Sequence, residues 1–161
     1  NNCERPIVLA LSNPTSCCEV LPEEVMAATS GRALMATGSP FKPFIIPDGR
    51  EVIISQCNNL YVFPGMGLGA IVSQAQHVTH TMFYAATCAI SEMVSSENRA
   101  KGALLPPLTD IRSVSFTVAL AVAKQARDEG IGVNVSDEHL AGLIQSAMWV
   151  PRYYPYRYSG R

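Results

Sequence analysis

The first third of the chain alternates apolar runs with polar turns, as strands and a connecting helix do. Residues 7–11 (IVLAL) form a continuous apolar run, rich in β-branched side chains, which predicts a strand buried on both faces. Pro22, followed by two glutamates, predicts the start of a helix, and Gly31 predicts its end. Residues 33–37 (ALMAT) predict a second strand. Strand, crossover helix and strand together indicate a parallel pair in an α/β sheet.

Beyond residue 59 the apolar period becomes helical. After a turn-rich segment and a short edge strand expected over 51–54, Gly, Pro and Ser separate the helical stretches. The pattern predicts helices over 59–76, 80–94, 109–129 and 136–148. Two apolar stripes predict that most of the third helix is covered: Ile111, Val114, Val118 and Val122, and Phe116, Leu120 and Ala123.

Side chains that would begin the last two helices are also recognisable. Thr109 or Asp110 is expected to cap the helix over 109–129, and Ser136 or Asp137 the final one. The sheet, by contrast, is incomplete, because two or three short strands leave edges and faces without partners. We therefore expect the missing strands to come from another part of the protein. A partner chain is one source, and the earlier part of a longer polypeptide is the one we favour.

Composition places the chain among globular proteins. Of 161 residues, 48% are apolar and 16% are charged, which suits one modest domain. The net charge of -1 provides no global attraction for nucleic acid or anionic lipid. No apolar run has the roughly 18 to 20 residues that span a bilayer. Five cysteines without a CxxC pair disfavour disulfides and a zinc site and favour a cytoplasmic location.

A glycine-rich block over residues 65–70 (GMGLGA) matches the GxGxxG/A pattern of dinucleotide-binding loops. Pro64 interrupts the step from strand to loop, and no acidic residue ends a second strand about twenty residues later. Small residues at 65, 67 and 69 equally allow a helix to pack closely. The packing interpretation is the one we prefer.

Isolated histidines and cysteines do not form a recognisable metal site. His77 and His80 are three residues apart, but their stretch has no carboxylate, and Cys57 and Cys88 stand at its two ends. His139 is alone on a predicted helix and is expected to be solvated or structural. Cys57 is expected to be a buried, unreactive thiol, because no base is identifiable beside it.

The C-terminal residues 149–161 combine aromatic and basic side chains without any acid, giving a local charge of +3. The set comprises Trp149, Tyr153, Tyr154, Tyr156, Tyr158, Arg152, Arg157 and Arg161. Such residues stack on single-stranded nucleic acid, but they also dominate subunit interfaces. With Pro151 and Pro155 imposing an extended path, an intersubunit arm is favoured over nucleic-acid binding.

Asparagines mark the most informative positions. Asn13 lies just beyond the carboxyl end of the first strand, where open α/β sheets bind ligands, and Asn58 and Asn59 follow a second possible strand. A neutral amide donates two hydrogen bonds and accepts others without titrating, so it can meet a carboxylate, a carboxamide or a ribose hydroxyl. The alternative for a loop asparagine is an Asx-turn. The residues alone thus indicate an α/β ligand-binding unit.

The same segments resemble malic enzymes in order along nearly the whole chain. The matching blocks are RPIVLALSNPTS, GRALMATGSPF, QCNNLYVFPGMGLG, GALLPPLTDIR and MWVPRYYPYR. Three of these segments, the motifs QCNN and GALLPPL and the Tyr/Arg-rich C-terminal end, most resemble the bacterial NAD-linked members of the family. The resemblance implies a C-terminal piece of a Rossmann-like NAD(P)-binding sheet, followed by an α-rich segment that returns to the catalytic domain. It also implies that the glycine block is a helix start and not the dinucleotide-binding loop.

The family's chemistry is oxidative decarboxylation of L-malate to pyruvate and carbon dioxide, with NAD or NADP as hydride acceptor and Mg or Mn as divalent ion. By resemblance, Asn13 contacts substrate and the nicotinamide end of the cofactor. Asn58 and Asn59 hold malate, with Asn58 also near the cofactor. The family's lysine base, tyrosine acid, arginine clamp and metal carboxylates have no counterpart in this chain, so neither catalytic nor metal-binding residues are expected within it.

The resemblance divides the chain into three parts. Residues 1–58 are expected to complete the nucleotide-binding domain, 59–130 to form the helical return segment, and 131–161 to form a final helix and an assembly arm. A homodimer or homotetramer is implied, and the piece alone is expected to be inactive. The alternative is a non-catalytic nucleotide-binding or regulatory subunit of the same fold. Two departures from the family pattern, Leu21 and His80, remove usual helix caps, and Thr79 is expected to cap the second of these helices instead.

Overall fold

A computed structural model describes residues 3–159 of the chain. Its main sheet has three parallel strands: β1 (Ile7–Ala10), β2 (Leu34–Thr37) and β5 (Ser55–Gln56). The strand order is β1-β2-β5, so β2 lies in the middle. The parallel pair predicted from the alternation of apolar runs is confirmed, with Ile7 opposite Leu34 in the register.

The crossover between β1 and β2 is the helix α1 (Pro22–Ala28). It starts at Pro22, whose fixed φ suits the first turn, and Glu24 Oε2 accepts a hydrogen bond from the Leu21 N–H at 3.0 Å. The Leu21 side chain has no hydrogen-bonding atom, so the position before α1 lacks a side-chain cap, as the sequence predicts. Gly31, at φ +70°, follows the helix in a conformation that favours glycine.

The short strand predicted over 51–54 is present only in its first half, and it lies outside the parallel sheet. Residues Glu51–Val52 form β4, which pairs antiparallel with β3 (Phe44–Ile45) in a separate hairpin. The strand that extends the parallel sheet is β5, immediately after it. A run of four residues does not encode which strand it will pair with, because that choice depends on neighbours far away in the sequence.

Beyond β5 the chain is helical, as the change of period predicted. The helices are α2 (Phe63–Val72), α3 (His80–Glu92), α4 (Ser96–Ala100), α5 (Ile111–Asp128) and α6 (Asp137–Ala147). Short α4 has no counterpart among the predictions. Among the described residues, no helix is long and apolar enough to cross a membrane.

The helical region is built around α5. Val114, Val118 and Val122 are completely buried in a cluster with residues of α2 and α3, which confirms the first predicted stripe. On the second stripe, Ala123 is buried with Leu140 and Ile144 of α6, and its neighbours Phe116 and Leu120 pack against them. Most of the surface of α5 is therefore covered, as expected from its two apolar stripes.

Two of the three predicted caps are present. Thr79 Oγ1 accepts a hydrogen bond from Met82 N–H at 3.2 Å and so caps α3, and Ser136 Oγ accepts from His139 N–H at 3.2 Å and caps α6. The third is wrong, because Asp110 precedes α5 without a side-chain capping bond. A turn of 3₁₀ helix over Leu108–Asp110 leads directly into α5. The backbone before α5 is therefore not in the extended conformation that a capping residue usually has.

The glycine block lies inside α2, which confirms the packing interpretation for two of its three glycines. A Cβ at Gly65 would stand 2.6 Å from Val118 Cβ, and one at Gly69 would stand 2.6 Å from the Ala119 carbonyl oxygen. The expectation for Gly67 is wrong, since nothing lies within 4 Å of its Cβ position. Gly65 and Gly69, four residues apart, share the helix face that touches α5.

The prediction that β1 is buried on both faces is wrong for the described residues. Val8 and Ala10 face the cluster that α1 covers, but Ile7 and Leu9 are 61% and 56% exposed. Side chains alternate along a strand, so the two exposed residues share one face. No element within residues 3–159 packs over that face, which agrees with the expectation that this sheet is incomplete.

Candidate functional site

The two loops that carry the predicted site, and the loop between them, emerge from the same edge of the parallel sheet. Gly38 N–H donates to Ala10 O at 2.9 Å and Cys57 N–H to Thr37 O at 2.8 Å, so the ladder continues one residue beyond each strand. Asn13 follows β1, Ser39 follows β2, and Asn58 follows β5. Two interstrand spacings, about 10 Å, separate the outer strands. This carboxyl edge is where open parallel sheets bind ligands.

Asn13 is exposed, and its side-chain orientation is set by one neighbour. The Ser39 hydroxyl donates a hydrogen bond to Asn13 Oδ1 at 3.1 Å. No protein partner for Asn13 Nδ2 is found in the part of the chain that the structure describes. The amide therefore presents its two N–H donors for a ligand while its oxygen is held by the protein.

The loop that carries Asn13 is closed by a carboxylate. The Ser12 hydroxyl and backbone N–H donate to the Glu19 carboxylate at 2.8 and 3.3 Å. Hydrogen bonds from the backbone N–H of Glu19 itself and from Ser12 lower the pKa of this carboxyl. The Asn13-Pro14 peptide bond within the loop is cis.

Asn58 makes the Asx-turn that was the alternative for these asparagines. Its Oδ1 accepts a hydrogen bond from Leu60 N–H at 2.9 Å and caps the 3₁₀ turn Asn59–Tyr61. That contact uses only the oxygen, so the Asn58 amide nitrogen keeps its donors. Asn59 is exposed in the same turn. Within residues 3–159 no hydrogen bond joins Asn13 to either residue, so the structure brings the three amides to one edge without bonding them to one another.

A buried tyrosine fixes this turn to the helical region. The Tyr61 hydroxyl donates to the Pro106 carbonyl oxygen, and burial, followed by the charge of Asp110, raises its pKa. The Ser55 hydroxyl at the end of the sheet accepts hydrogen bonds from Leu104 and Leu105 N–H at 2.8 and 3.1 Å. The segment over 102–112 is thereby tied directly beside the asparagine turn.

The remaining polar candidates are dispersed. His77, His80 and His139 are all exposed, and residues 3–159 contain no group of three His, Cys, Asp or Glu side chains that could hold a metal ion. All five cysteines are free thiols. Cys57 is half-buried rather than buried as predicted, since it lies at the open edge of the sheet.

A comparison with known families identifies the chain. The sequence profile described as malic enzyme, NAD binding domain, matches residues 1–127. That match covers most of the chain. The chain belongs to the malic enzyme NAD-binding domain family. The resemblance inferred from the sequence blocks is thereby confirmed.

Individual malic enzymes agree with this assignment. The NAD-dependent malic enzyme of Pseudomonas aeruginosa (strain UCBPP-PA14) is 48% identical over 157 residues, which cover 98% of this chain and 28% of that relative. The enzyme of the same name from Acinetobacter baylyi is 47% identical over 97% of this chain and 27% of the relative. This chain thus spans less than a third of the length of the curated relatives it matches.

Solved malic enzyme structures share the fold. The crystal structure of malic enzyme from Pyrococcus horikoshii Ot3 matches with a TM-score of 0.61 and 32% identity, over 86% of this chain and 29% of that one. Entamoeba histolytica malic enzyme matches with a TM-score of 0.68 over 88% of this chain and 26% of that one. At 24% identity the second likeness concerns the fold alone.

Sequence reasoning missed the residues that support Asn13 in this malic enzyme chain. Thr37 Oγ1 donates to the Ser39 carbonyl oxygen at 2.8 Å, and Gln56 Nε2 donates to the Gly38 carbonyl oxygen at 3.2 Å. No site residue is predicted from the sequence in the GSPF segment, residues 38–41. A usable signal was present, because this segment follows the central strand and so lies between the two asparagine loops.

The aromatic tail has no helix or strand over 149–159. Its link to the helical region is the Arg112 guanidinium, which donates to Trp149 O at 2.9 Å. Arg152 lies over the Tyr154 ring, 4.6 Å from its centroid, and Tyr153 and Tyr156 are fully exposed. Arg161, part of the predicted basic set, lies outside the described residues.

Proposed function

We propose that this chain forms the C-terminal part of an NAD-dependent malic enzyme that converts L-malate to pyruvate and carbon dioxide. One observation carries the proposal: two loops with neutral amides, after β1 and β5, flank the serine loop after β2 at the carboxyl edge of a parallel sheet in a chain of this family. Relatives named NAD-dependent malic enzymes, 45–48% identical, favour NAD over NADP.

The asparagines orient the reactants in this proposal. When bound, NAD supplies the acceptor for the hydride that leaves carbon 2 of malate. Asn13 donates hydrogen bonds from Nδ2 to malate and to the nicotinamide carboxamide, because Ser39 already occupies its oxygen. Asn58, whose oxygen caps the local turn, donates from its nitrogen to malate and cofactor, and Asn59 donates to malate. Amides do not titrate, so these residues align the reacting atoms without moving protons.

Proton transfer and metal binding belong elsewhere in the proposed enzyme. The described residues offer no cluster of metal-ligating side chains, so their donor set does not fit a Mg or Mn ion. We assign the divalent ion and the acid and base groups to parts of the polypeptide other than residues 3–159. The five free thiols favour a reducing, cytoplasmic setting.

The test compares the 161-residue chain with the longer polypeptide that contains it. We expect malate-dependent NAD reduction from the longer polypeptide and none from the chain alone. In the longer polypeptide, Asn13→Ala is expected to lower kcat/KM for malate roughly ten- to hundredfold, the worth of a hydrogen bond to a charged group. Exposed Asn134, in the loop before α6, provides the matched control, and Asn134→Ala is expected to leave the kinetics unchanged.

The outcomes separate the parts of the proposal. Robust turnover by the isolated chain would contradict the assignment of acid, base and metal groups to other segments. Unchanged kinetics in Asn13→Ala would remove this residue from the site. An inactive longer polypeptide with a normal circular dichroism spectrum would overturn the proposed reaction.

We further propose that the tail over 149–158 is an assembly arm that contacts a second copy of the protein. Its tyrosines and tryptophan are large apolar groups left in solvent, and such residues are favoured in the cores of interfaces. Removing the segment after Met148 is expected to lower the oligomeric mass measured by light scattering. An unchanged mass would exclude the arm as an interface.

A further inference from the structure

We propose that Ser39 is a positioning residue that acts through Asn13. Its hydroxyl is buried, with the residue only 3% exposed, and donates to Asn13 Oδ1 at 3.1 Å across a sequence separation of 26 residues. The contact joins the loop after β2 to the loop after β1. This inference rests on the proposed function, in which Asn13 contacts malate and the nicotinamide end of NAD.

Ser39 is itself held by the sheet. Completely buried Thr37 donates from Oγ1 to the Ser39 carbonyl oxygen at 2.8 Å, and its own carbonyl oxygen accepts from Cys57 N–H at 2.8 Å. Gln56 Nε2 holds the Gly38 carbonyl oxygen at 3.2 Å. Two strands therefore fix the backbone that carries the serine, whereas Asn13 lies in an exposed loop.

The loop after β2 packs directly against the loop after β1, so a shift in one displaces the other. A Cβ at Gly38 would stand 2.2 Å from the Leu11 carbonyl oxygen and 3.1 Å from Asn13 Nδ2. Only glycine permits that approach without movement of the backbone. The position of the Asn13 side chain is thus tied to the central strand through its neighbours at 38 and 39.

The chemistry of an amide makes its orientation matter. The last torsion of asparagine is broad and roughly two-fold, so a free side chain exchanges its oxygen and nitrogen by rotation. A carboxylate of malate and the carbonyl oxygen of a carboxamide both accept hydrogen bonds and are repelled by the amide oxygen. By donating to Asn13 Oδ1, the Ser39 hydroxyl stabilises the rotamer that leaves the Asn13 donors to the ligand. Its loss leaves both rotamers populated.

A double-mutant cycle in the longer polypeptide tests this arrangement. The variants are Ser39→Ala, Asn13→Ala and the pair, with kcat and KM for malate and the Kd of NADH from fluorescence titration as readouts. Ser39→Ala is expected to lower kcat/KM and raise the NADH Kd about tenfold in the native background, the worth of one well-placed hydrogen bond. In the Asn13→Ala background the same change is expected to have no further effect.

The control is a second buried serine remote from this edge. Ser73 is completely buried, and its hydroxyl donates to the Ala70 carbonyl oxygen at 3.2 Å in the helical region. Ser73→Ala removes a buried hydroxyl at the same chemical cost and is expected to leave kinetics and NADH binding unchanged. Should Ser39→Ala fail to fold, Ser39→Cys retains a weaker donor on a slightly larger side chain and is expected to give a smaller loss of the same kind.

Each failure has a distinct signature. Equal losses from Ser39→Ala with and without Asn13 would show that the serine acts on the fold and would overturn this inference. A loss in Asn13→Ala with native behaviour in Ser39→Ala would also overturn it, while the proposed function stands. If malate turnover is absent altogether, the proposed function fails, and the NADH cycle still decides whether the two residues are coupled.

Discussion

Of two apolar faces in this molecule, one on α5 is buried and one on β1 is exposed. On α5, Val114, Val118 and Val122 follow one another along one face and are completely buried, whereas on β1, Ile7 and Leu9 share a face and remain mostly exposed. The valines meet residues of α2 and α3 that lie within the same chain. The β1 residues have β2 beside them, but no element of the described part of the chain, residues 3–159, lies over them. Burial is thus decided by which neighbours the chain supplies, not by the hydrophobicity of the residue.

The difference separates a region that completes its own core from one that does not. The helices over 63–147 enclose α5 from several sides, and α2 approaches it so closely that glycine is required at two positions. The three-stranded sheet is covered by α1 on one face and is open over β1 on the other. We interpret the open face as a docking surface for the rest of the proposed enzyme, since exposed apolar patches mark contact sites.

The largest effect is expected from the closest contact in the helical region. In Gly69→Ala, the new Cβ would stand 2.6 Å from the Ala119 carbonyl oxygen and 2.8 Å from Val122 Cβ. Helix α2 must then move away from α5, which is expected to cost about 3 kcal/mol of unfolding free energy. Urea denaturation followed by circular dichroism measures the loss.

Gly67 provides the matched control for that variant within the same helix. Nothing lies within 4 Å of its Cβ position, so Gly67→Ala is expected to stabilise the protein by up to about 1 kcal/mol through helix propensity. Similar effects at positions 67 and 69 would contradict the view that α2 and α5 form a closed, tightly packed unit.

The second effect tests the open face of the sheet. Leu9→Ser in the longer polypeptide is expected to lower the unfolding free energy by about 2 kcal/mol, because the proposed partner segment buries a side chain that is 56% exposed in this chain. Leu9→Met keeps the apolar volume and is expected to cost less than about 1 kcal/mol. Thermal unfolding of the three proteins makes the comparison. A serine variant as stable as the native protein would show that the face stays open.

Local patterns gave most of the helices correctly. Pro22 and the glutamates after it start α1, Ser136 caps α6, and the two stripes of α5 are buried as their spacing predicts. These features depend on residues three or four positions apart, so a single sequence contains the necessary information. The parallel pairing of β1 and β2 followed from the crossover helix between them.

Features that depend on distant neighbours were not predictable. Strand β4 pairs in a hairpin, and Ile7 and Leu9 remain exposed. Both outcomes depend on partners that the sequence pattern does not identify. At the site, the positions of Asn13 and Asn58 after two parallel strands were enough to predict that they share one edge of the sheet. The hydrogen bond from buried Ser39 to Asn13 was not predictable, because it joins residues far apart in the sequence. The ligand-binding roles of the asparagines stay predictions.

The smallest effect concerns charges that attach α6 to α5. Asp137, in the first turn of α6, accepts from Lys124 Nζ and Arg127 Nη1, each at 2.6 Å. The hydrogen bonds from Lys124, then Arg127, lower the pKa of this carboxyl. A carboxyl whose pKa is lower in the folded protein stabilises the fold when the pH is above the group's ordinary pKa of about 4. This stability is lost as the pH falls through the lower, folded-state pKa.

Exposed ion pairs contribute little to stability, so Asp137→Asn is expected to reduce the melting temperature slightly at neutral pH and to match the native protein in strong acid. Glu92→Gln, at the exposed end of α3, is the control and is expected to change nothing. A penalty for Asp137→Asn that is the same at every pH would show that it does not come from the ion pairs with Lys124 and Arg127.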